Sequence, residues 1–240
     1  MTVIKSKNVQ DAYYRLISKL LDAKPFDENT KELTNCCIEI RNPKLYPIYF
    51  PCRQISEDYA KAELEWYWSG DNKVETIAKH AKMWERISDD GVTNNSAYGY
   101  ILFKKYGYDQ LQQVIDLLQI DSTSRRAVLN ISDPMIDRVT TKDMQCTIAI
   151  HFLVRYGGIE ETVYMRSNDV YFGFPYDYLF FVSLGNYISE KLGFPLTKYT
   201  HYATSMHMYL KDVEKFRTYA KDAKNVNIDV EEIVRNCYEK

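Results

Sequence analysis

Residues 165–178 combine a cation, a hydroxyl group and two carboxylates in a short aromatic run that could bind a nucleotide. The guanidinium of Arg166 is a planar fork suited to phosphate, and Ser167 adds a hydroxyl beside it. The carboxyl groups of Asp169 and Asp177 could read the hydrogen-bonding edge of a base. A junction from strand to helix, with the arginine paired to one acid, explains the same run equally well at this point. The segment is therefore a candidate site that other residues must complete.

Three other patterns carry groups that could act on a bound nucleotide. Cys146 lies near the start of a predicted strand, where a cysteine is more often a small core residue than a nucleophile. Glu63 lies in a predicted helix, where most glutamates are solvated. Arg125 and Arg126 follow a Ser-Thr-Ser run and could bind an anion or end a loop. Each pattern is weak when it is read alone.

The elements that must position these residues follow from the spacing of the apolar side chains, which predicts an α+β domain. Asn8 is the predicted N-cap of the first helix, Gly70 ends the second, and Gly157-Gly158 predicts a turn between two strands. We expect helices at 8–23, 57–69, 77–87, 108–118, 175–192, 209–220 and 228–237, and strands at 36–41, 126–131, 146–155, 161–166 and 199–206. No repeat or linker divides the chain, so residues 1–240 are expected to form a single domain.

Composition argues against several classes of protein. The 31 basic and 33 acidic side chains give a net charge near −2, unlike a protein that coats nucleic acid or a polybasic membrane anchor. No apolar run has the length of a membrane span and the N-terminus lacks a secretory signal, so a cytoplasmic protein is expected. The five cysteines include no CxxC pair and the four histidines lack zinc-ligand spacing, so we expect neither a disulfide framework nor a metal site.

Taken together and in order, the patterns resemble the thymidylate synthase superfamily from about Glu63 to Tyr209. An Arg-Ser-x-Asp-Val sequence followed by a Gly-x-Pro turn is specific, and six further blocks in the same order are hard to obtain by chance. The matching blocks are Glu63-Leu64-Glu65-Trp66-Tyr67 with Gly70-Asp71, Trp84, Tyr98-Gly99, Ser124-Arg125-Arg126, Cys146, residues 166–177 and His207-Met208-Tyr209. The resemblance implies a mixed central β-sheet packed with helices, and a homodimer formed sheet to sheet.

The resemblance also implies a reaction. Cys146 would attack C6 of a pyrimidine nucleotide as a thiolate, which makes C5 nucleophilic, and a nearby arginine would lower the pKa of the thiol. C5 would then take a one-carbon unit from 5,10-methylenetetrahydrofolate. Glu63, with an ordered water and Tyr98, would carry out the proton transfers, including removal of the C5 proton. No metal is implied.

The binding roles implied by the resemblance divide among the nucleotide, the folate and the second subunit. Arg166 and Ser167 would hold the 5′-phosphate, and His207 and Tyr209 would bind the sugar 3′-hydroxyl. Asp169 and Trp84 would line the folate pocket. Arg125 and Arg126 would enter the neighbouring subunit's site. The family's Arg-Thr-Gly phosphate loop is absent. Asn29-Thr30-Lys31 is its nearest match, which makes Lys31 a candidate phosphate ligand.

Asp177 stands where thymidylate synthases carry an asparagine. An asparagine amide complements the O4 acceptor and N3 donor of uracil. A carboxyl group can instead accept from the exocyclic amino group of cytosine and share or donate a proton at N3. Asp177 therefore favours dCMP as the substrate, and a helix-capping aspartate does not explain its place in the motif.

Three other departures point toward the phage deoxycytidylate hydroxymethylases of the superfamily. Thr147 follows the cysteine where a histidine is usual, and Thr204-Ser205-Met206-His207 replaces Gly-Asp-x-His, with a serine that those phage enzymes share. Residues 234–240 lack the apolar tail that closes over the folate, and a wetter site lets water capture the methylene to give a hydroxymethyl group.

The alternatives are a dCMP methylase, a CMP hydroxymethylase, a thymidylate synthase-type enzyme on dUMP, and a catalytically silent nucleotide-binding homologue. No direct binding to nucleic acid or membrane is expected. The expected location is the cytoplasm, that of the host if the chain is encoded by a phage.

Overall fold

The computed structural model describes residues 1–50 and 55–223 of the chain. In this part the strands form one sheet, and helices pack against it. The strands of this part are β1 (Thr2–Ser6), β2 (Thr30–Arg41), β3 (Val128–Asn130), β4 (Thr147–Arg155), β5 (Gly158–Asp169) and β6 (Leu196–Tyr209). Its helices are α1 (Val9–Asp22), α2 (Glu57–Ser69), α3 (Val74–Ile77), α4 (Met83–Ile87), α5 (Tyr98–Phe103), α6 (Gln110–Ile120), α7 (Phe174–Leu192) and α8 (Leu210–Ala223).

The sheet is mixed, with the strand order β1-β2-β6-β5-β4-β3. β1 is parallel to β2 and β5 is parallel to β6, whereas the other neighbouring strands are antiparallel. A parallel pair needs a long crossover, and α7 supplies it between β5 and β6. The predicted α+β class with a mixed central sheet is confirmed.

The core lies between the sheet and the helices that pack on it. α7 contacts β5 and β6, and its buried side chains include Phe180, Phe181 and Leu184. α1 packs on β1 and β2 with its apolar stripe. Buried positions along β5 alternate with more accessible ones such as Tyr164, which is 39% exposed. One face of the sheet is thus the core face, and the other carries partly exposed side chains.

The sheet is interrupted at the level of Arg166. Arg166 on β5, Thr204 on β6 and Asn35 on β2 are all skipped by the pairing register, and Asn35 takes a left-handed backbone with φ 53°. Two successive residues are therefore at least partly exposed on β5, Arg166-Ser167, and two on β6, Thr204-Ser205. In a regular strand such neighbours point to opposite faces. The interruption thus makes both the arginine and the serine of the candidate site accessible.

The predicted elements agree with the structure in most of the chain. Asn8 caps α1, since its side chain accepts from the Asp11 N–H at 2.8 Å, and Gly70 ends α2 with φ 63°. The helix predicted at 77–87 is wrong as one element, because α3 and α4 are separate short helices. β1 and α5 were not predicted.

The turn between β4 and β5 lies one residue earlier than predicted. Tyr156 and Gly157 both have positive φ, 52° and 79°, and Gly158 begins β5. The helix predicted at 228–237 and the tail at 234–240 lie outside the described residues. Among the helices that are described, none is long and apolar enough to cross a membrane.

Candidate active site

Cys146 lies immediately before β4, next to the guanidinium of Arg166. Nη2 of Arg166 is 3.7 Å from the Cys146 sulfur, and the Arg166 backbone N–H donates to the Cys146 carbonyl at 2.8 Å. Burial raises the pKa of the Cys146 thiol, Arg166 opposes this effect, and the charge of Asp177 adds to it. The arginine is therefore the main local stabiliser of the thiolate, which is the nucleophilic form.

Arg166 is fixed in place by the chain segment that leads to the cysteine. Its Nε donates to the Gln145 carbonyl and its Nη2 to the Met144 carbonyl, both at 2.9 Å. The side chain nevertheless remains exposed. A guanidinium held by neutral carbonyls keeps its charge uncompensated by a carboxylate, as a site for an anion requires.

Ser167 and His207 meet across the parallel strands β5 and β6. The Ser167 hydroxyl is 3.3 Å from Nδ1 of His207, and the His207 ring packs edge to face against Tyr209 at 5.4 Å. Asp169 pairs with His207 in the register of the two strands. The structure thus brings together the residues predicted for phosphate and sugar.

Asp177 lies in the first turn of α7 and is bound by a residue that the sequence reasoning missed. Nδ2 of Asn168 donates to Oδ2 of Asp177 at 2.7 Å. Burial raises the pKa of Asp177 to about 7, the Asn168 hydrogen bond opposes this effect, and the charge of Asp169 adds to it. The carboxyl group can therefore exchange a proton near neutral pH.

Asp169 closes the turn between β5 and α7. One carboxylate oxygen accepts from the Tyr171 N–H at 3.0 Å and the other from the Phe172 N–H at 2.9 Å. Burial raises its pKa, with these two hydrogen bonds opposing. Each oxygen accepts one of these two bonds and a carboxylate oxygen can accept two, so a donor on a ligand can still be accommodated.

Glu63 is buried on α2, with 8% of its surface exposed, and is the end of a hydrogen-bonded series. Trp84 Nε1 donates to the Tyr59 oxygen at 2.9 Å, and the Tyr59 hydroxyl donates to Glu63 Oε1 at 2.5 Å. Burial raises the pKa of Glu63 to about 8; the Tyr59 bond opposes this effect and the charge of Asp177 adds to it. Sequence reasoning missed Tyr59, although its position four residues before Glu63 on the same helix was a usable signal.

Tyr98 lies at the start of α5, stacked on Tyr67 at 5.3 Å. The contact depends on Gly99, because a Cβ there would lie 1.6 Å from the Tyr67 carbonyl oxygen. Burial raises the pKa of the Tyr98 phenol, and the charges of Asp177 and Cys146 add to the rise. The phenol is thus placed within the electrostatic reach of both groups.

Three predicted residues are not part of this cluster. Arg125 and Arg126 are exposed before β3, and within the described residues no hydrogen bond or ion pair links their guanidinium groups to Cys146 or Arg166. Lys31 is 7% exposed and its ammonium donates to the Leu21 carbonyl at 2.7 Å.

The position of Lys31 has a physical reason. If buried and accessible positions alternated regularly along β2, buried Cys36 would imply an accessible Lys31. The interruption at Asn35 shifts this alternation by one residue. Glu32 takes the accessible position and accepts from the Ser205 hydroxyl at 2.6 Å. The contacts of Lys31 do not support a phosphate ligand.

The cluster as a whole joins a nucleophile to groups that can move protons near neutral pH. Cys146 supplies the nucleophile, burial raises the pKa of Glu63 to about 8 and that of Asp177 to about 7, and Arg166 supplies a positive charge. In the part of the chain that the structure describes, no group of three or more His, Cys, Asp or Glu side chains could hold a metal ion. The arrangement suits covalent attack on an electrophilic ring followed by proton transfer.

Comparisons with known proteins agree with this geometry. The thymidylate synthase family model matches residues 27–233. A candidate thymidylate synthase of Methanocaldococcus jannaschii is 32% identical over 232 residues, which are 91% of this chain and 96% of that protein. The thermostable thymidylate synthase A from Bacillus subtilis has the same fold, with a TM-score of 0.73 at 19% identity, covering 89% of this chain and 84% of that one.

Two phage enzymes are also similar. The deoxyuridylate hydroxymethyltransferase of Bacillus phage SP01 is 30% identical over 201 residues, which are 78% of this chain and 52% of that protein. The deoxycytidylate 5-hydroxymethyltransferase of Enterobacteria phage T4 is 31% identical over 143 residues, which are 58% of this chain and 56% of that protein. The chain spans about half the length of these two relatives.

Proposed function

The chain belongs to the thymidylate synthase family, and on that premise we propose that it is a deoxycytidylate 5-hydroxymethyltransferase. It transfers a one-carbon unit to C5 of dCMP and yields 5-hydroxymethyl-dCMP. The observation that carries the choice of base is the Asp177 carboxyl group, whose pKa is about 7 and which is held by Asn168. In this proposal residues 1–240 act as a single catalytic domain.

The family uses 5,10-methylenetetrahydrofolate, and the residues of this chain fit it. Asp169 is partly exposed and keeps acceptor capacity beyond its two backbone hydrogen bonds. The Trp84 indole is largely buried and donates to Tyr59, which in turn donates to Glu63. When bound, the folate supplies the one-carbon unit. We assign Asp169 and Trp84 to holding it.

The nucleotide is held by charge at one end and by hydrogen bonds at the other. Arg166 and Ser167 bind the 5′-phosphate, because the exposed guanidinium has no carboxylate partner among the described residues. His207 and Tyr209 bind the sugar 3′-hydroxyl. Arg125 and Arg126 complete the phosphate site of the neighbouring subunit in a homodimer; in support, both are exposed, and within the described residues their guanidinium groups make no hydrogen bond or ion pair with Cys146 or Arg166. Lys31 has no role in this proposal.

The reaction begins with the Cys146 thiolate, which forms a bond to C6 as the electrons of the 5,6 double bond shift toward the ring carbonyl. Asp177 stabilises the altered ring by sharing a proton at N3, and Arg166 favours the thiolate beforehand. Glu63 accepts the C5 proton, and Tyr98, within the electrostatic reach of Asp177 and Cys146, supplies a hydroxyl for proton transfer. Loss of this proton would follow bonding of the folate's one-carbon unit to C5, and it would accompany cleavage of the bond from that carbon to the tetrahydrofolate nitrogen. Water then adds to the resulting methylene carbon on C5, and Cys146 leaves as the 5,6 double bond re-forms.

The test uses the purified chain with methylenetetrahydrofolate and dCMP, dUMP or CMP in parallel. We expect dCMP to gain a hydroxymethyl group with release of tetrahydrofolate, and Cys146→Ser to abolish the reaction. Dihydrofolate with a methylated product would make the protein a methylase. Absence of reaction with every nucleotide, together with tight nucleotide binding in calorimetry, would leave a silent homologue.

A deoxyuridylate hydroxymethyltransferase is the second candidate function. The relative from phage SP01 carries that description and matches 78% of this chain, more than the 58% matched by the T4 protein. The carboxyl group at position 177 weighs against it, because uracil offers an acceptor at O4 and a donor at N3. Faster turnover of dUMP than of dCMP would decide for this candidate.

A further inference from the structure

We propose that Asn168 is a specificity-determining residue that confines the acidic proton of Asp177 to one carboxyl oxygen, so that the pair reads cytosine and rejects uracil. The inference rests on the proposed function and adds to it a residue that has no role in the reaction described above.

The side chains of Asn168 and Asp177 are brought together by the short turn between β5 and α7. Asn168 is the penultimate residue of β5 and Asp177 lies in the first turn of α7, and the turn closed by Asp169 joins them. Nδ2 of Asn168 is 2.7 Å from Oδ2 of Asp177. The bond therefore spans the junction between the strand that carries the phosphate ligands and the helix that carries the base-reading acid.

The amide of Asn168 cannot move away from this position easily. Asn168 is 3% exposed, and it pairs with buried Met206 on β6. A Cβ at Gly173 would lie 2.7 Å from the Asn168 Nδ2 and 2.9 Å from the Asp169 carbonyl oxygen. Only a glycine at that position allows the amide to approach the helix start so closely.

The amide is held by its donor end. Oδ1 of Asn168 is buried and has no hydrogen-bond partner among the described residues. An unpaired buried carbonyl is unfavourable, and a side chain kept only for stability would satisfy it. The bond to Asp177 is the interaction of Asn168 that offsets this cost.

The bond determines where a proton can reside on Asp177. The Asn168 NH2 group only donates, and the hydroxyl oxygen of a carboxylic acid is a poorer acceptor than its carbonyl oxygen. A donor at Oδ2 therefore favours the form with the proton on Oδ1. The acid then presents an acceptor at Oδ2, which keeps a second lone pair, and a proton donor at Oδ1.

This order of acceptor and donor matches cytosine. With Oδ2 toward the exocyclic position, it accepts from the 4-amino group, and the proton on Oδ1 is shared with N3. Uracil requires the reverse order, with the proton on Oδ2 opposite its O4 and a bare Oδ1 opposite its N3–H. In that form Asn168 would donate to a hydroxyl oxygen, so dUMP loses a hydrogen bond that dCMP keeps.

The test compares Asn168→Leu, which has similar volume and no donor, with the wild-type protein. The dCMP-to-dUMP ratio of kcat/KM should fall about tenfold or more. The alkaline limb of the dCMP profile should move to higher pH, because loss of the donor raises the pKa of Asp177. The other titratable groups that face Asp177 are Glu63, Tyr67, Tyr98, Cys146, Asp169 and Tyr199, and all are unchanged in this variant.

Two further variants keep the test decisive. Met206→Leu alters packing at the paired position without touching Asp177, and should move neither the ratio nor the limb. Asn168→Ser provides a smaller replacement if the leucine variant does not fold, and should lower the ratio in the same direction. Equal losses on both nucleotides, with an unmoved limb, would assign Asn168 a structural role only. A wild-type protein that converts neither nucleotide would count against the proposed function instead.

Discussion

The hydroxyl group of Tyr59 donates a 2.5 Å hydrogen bond to the buried carboxyl group of Glu63, one helical turn further along α2. The same oxygen accepts from Trp84, so its single proton is directed at Glu63. This relationship places a fixed donor on the residue proposed to remove the C5 proton. Its effect on the pKa of Glu63 is opposite to that of burial, and it therefore keeps more of the base in its ionised form.

Tyr59→Phe should slow the reaction most at neutral and acidic pH. The pKa of Glu63 is about 8, and loss of the hydroxyl raises it further, so less of the base is ionised at pH 7. Release of tritium from C5 as a function of pH measures this, and the acidic limb should move upward with roughly a tenfold loss at pH 7. Tyr187→Phe on α7 is the control and should leave the profile unchanged. A limb that stays in place would remove Tyr59 from the mechanism.

Asp177→Asn should move the substrate preference from dCMP toward dUMP. The amide introduced at position 177 donates to O4 of uracil and accepts from its N3–H. The Asn168 amide can rotate so that its oxygen accepts a hydrogen bond from the new NH2 group. The expected change in relative kcat/KM is about tenfold to a hundredfold, equivalent to ~1.4–2.8 kcal/mol. Competition between the two nucleotides in one reaction measures the ratio directly. An unchanged preference would mean that this side chain does not read the base.

Arg166→Gln should make Cys146 less reactive as well as weaken nucleotide binding. The guanidinium opposes the burial that raises the pKa of the thiol, so its removal raises that pKa further. Alkylation of Cys146 by iodoacetamide across a pH series, read by peptide mass spectrometry, should show a midpoint at higher pH. Arg155→Gln is the matched control, because that guanidinium donates to the Val154 carbonyl on the same sheet. Identical alkylation profiles would contradict the contact with sulfur.

Mixed dimers test the proposed roles of Arg125 and Arg126. A homodimer of Cys146→Ser has no nucleophile, and one of Arg126→Gln has a weakened phosphate site in both subunits. If Arg126 enters the partner's site, a mixed dimer contains one site with both defects and one with neither, so activity should return on mixing. Activity measured after unfolding and refolding the two variants together tests this. No recovery, with dimers demonstrated by light scattering, would place Arg126 in its own subunit's site.

Glu161→Gln should stabilise the protein increasingly as the pH rises. Glu161 is fully buried on β5, neither oxygen has a partner among the described residues, and burial raises its pKa well above 4.5. Folding therefore favours the protonated acid. The contribution of protonated Glu161 to stability is fully present below the pKa that this carboxyl group has in the unfolded chain. It is lost as the pH rises through the pKa that the group has in the folded protein.

The gain from Glu161→Gln should be about 2 kcal/mol or more at pH 8 and small at pH 4, by urea denaturation. Glu160→Gln is the control, since that neighbouring carboxylate pairs with Lys198 at 2.6 Å and is partly exposed. Equal effects of Glu161→Gln at both pH values would show that Glu161 is satisfied in the folded state.

Sequence patterns predicted those parts of the site that depend on residue type and order. Cys146, Arg166 and Asp177 could be identified because the family's blocks surround them and because their chemistry is specific. Asn168 and Tyr59 were missed, since each acts through one hydrogen bond to another site residue. Such a bond is visible only when a turn or a helix face brings the two groups together.

The fold was predictable where the apolar period is long and unbroken, as in α1, α2 and α7. Prediction from the sequence failed at short elements stabilised by tertiary contacts, such as α5, which depends on the close approach of Gly99 to Tyr67. Lys31 was assigned to phosphate because Asn29-Thr30-Lys31 is the nearest match to the family's Arg-Thr-Gly loop, but the left-handed backbone at Asn35 shifts the alternation along β2 and the Lys31 side chain is buried. Asparagine tolerates that conformation better than most residues, but one asparagine in a strand is too weak a signal to predict a shift.

The electrostatic link between Glu63 and Asp177 has a consequence for the order of events in the site. The negative charge of Asp177 contributes to the raised pKa of Glu63. Because cytosine binds the protonated form of Asp177, its binding lowers the average negative charge of that carboxyl group, so the pKa of Glu63 falls and more of Glu63 is ionised. Binding of the correct base thus raises the ionised fraction of the proton acceptor, which is lower in an empty site.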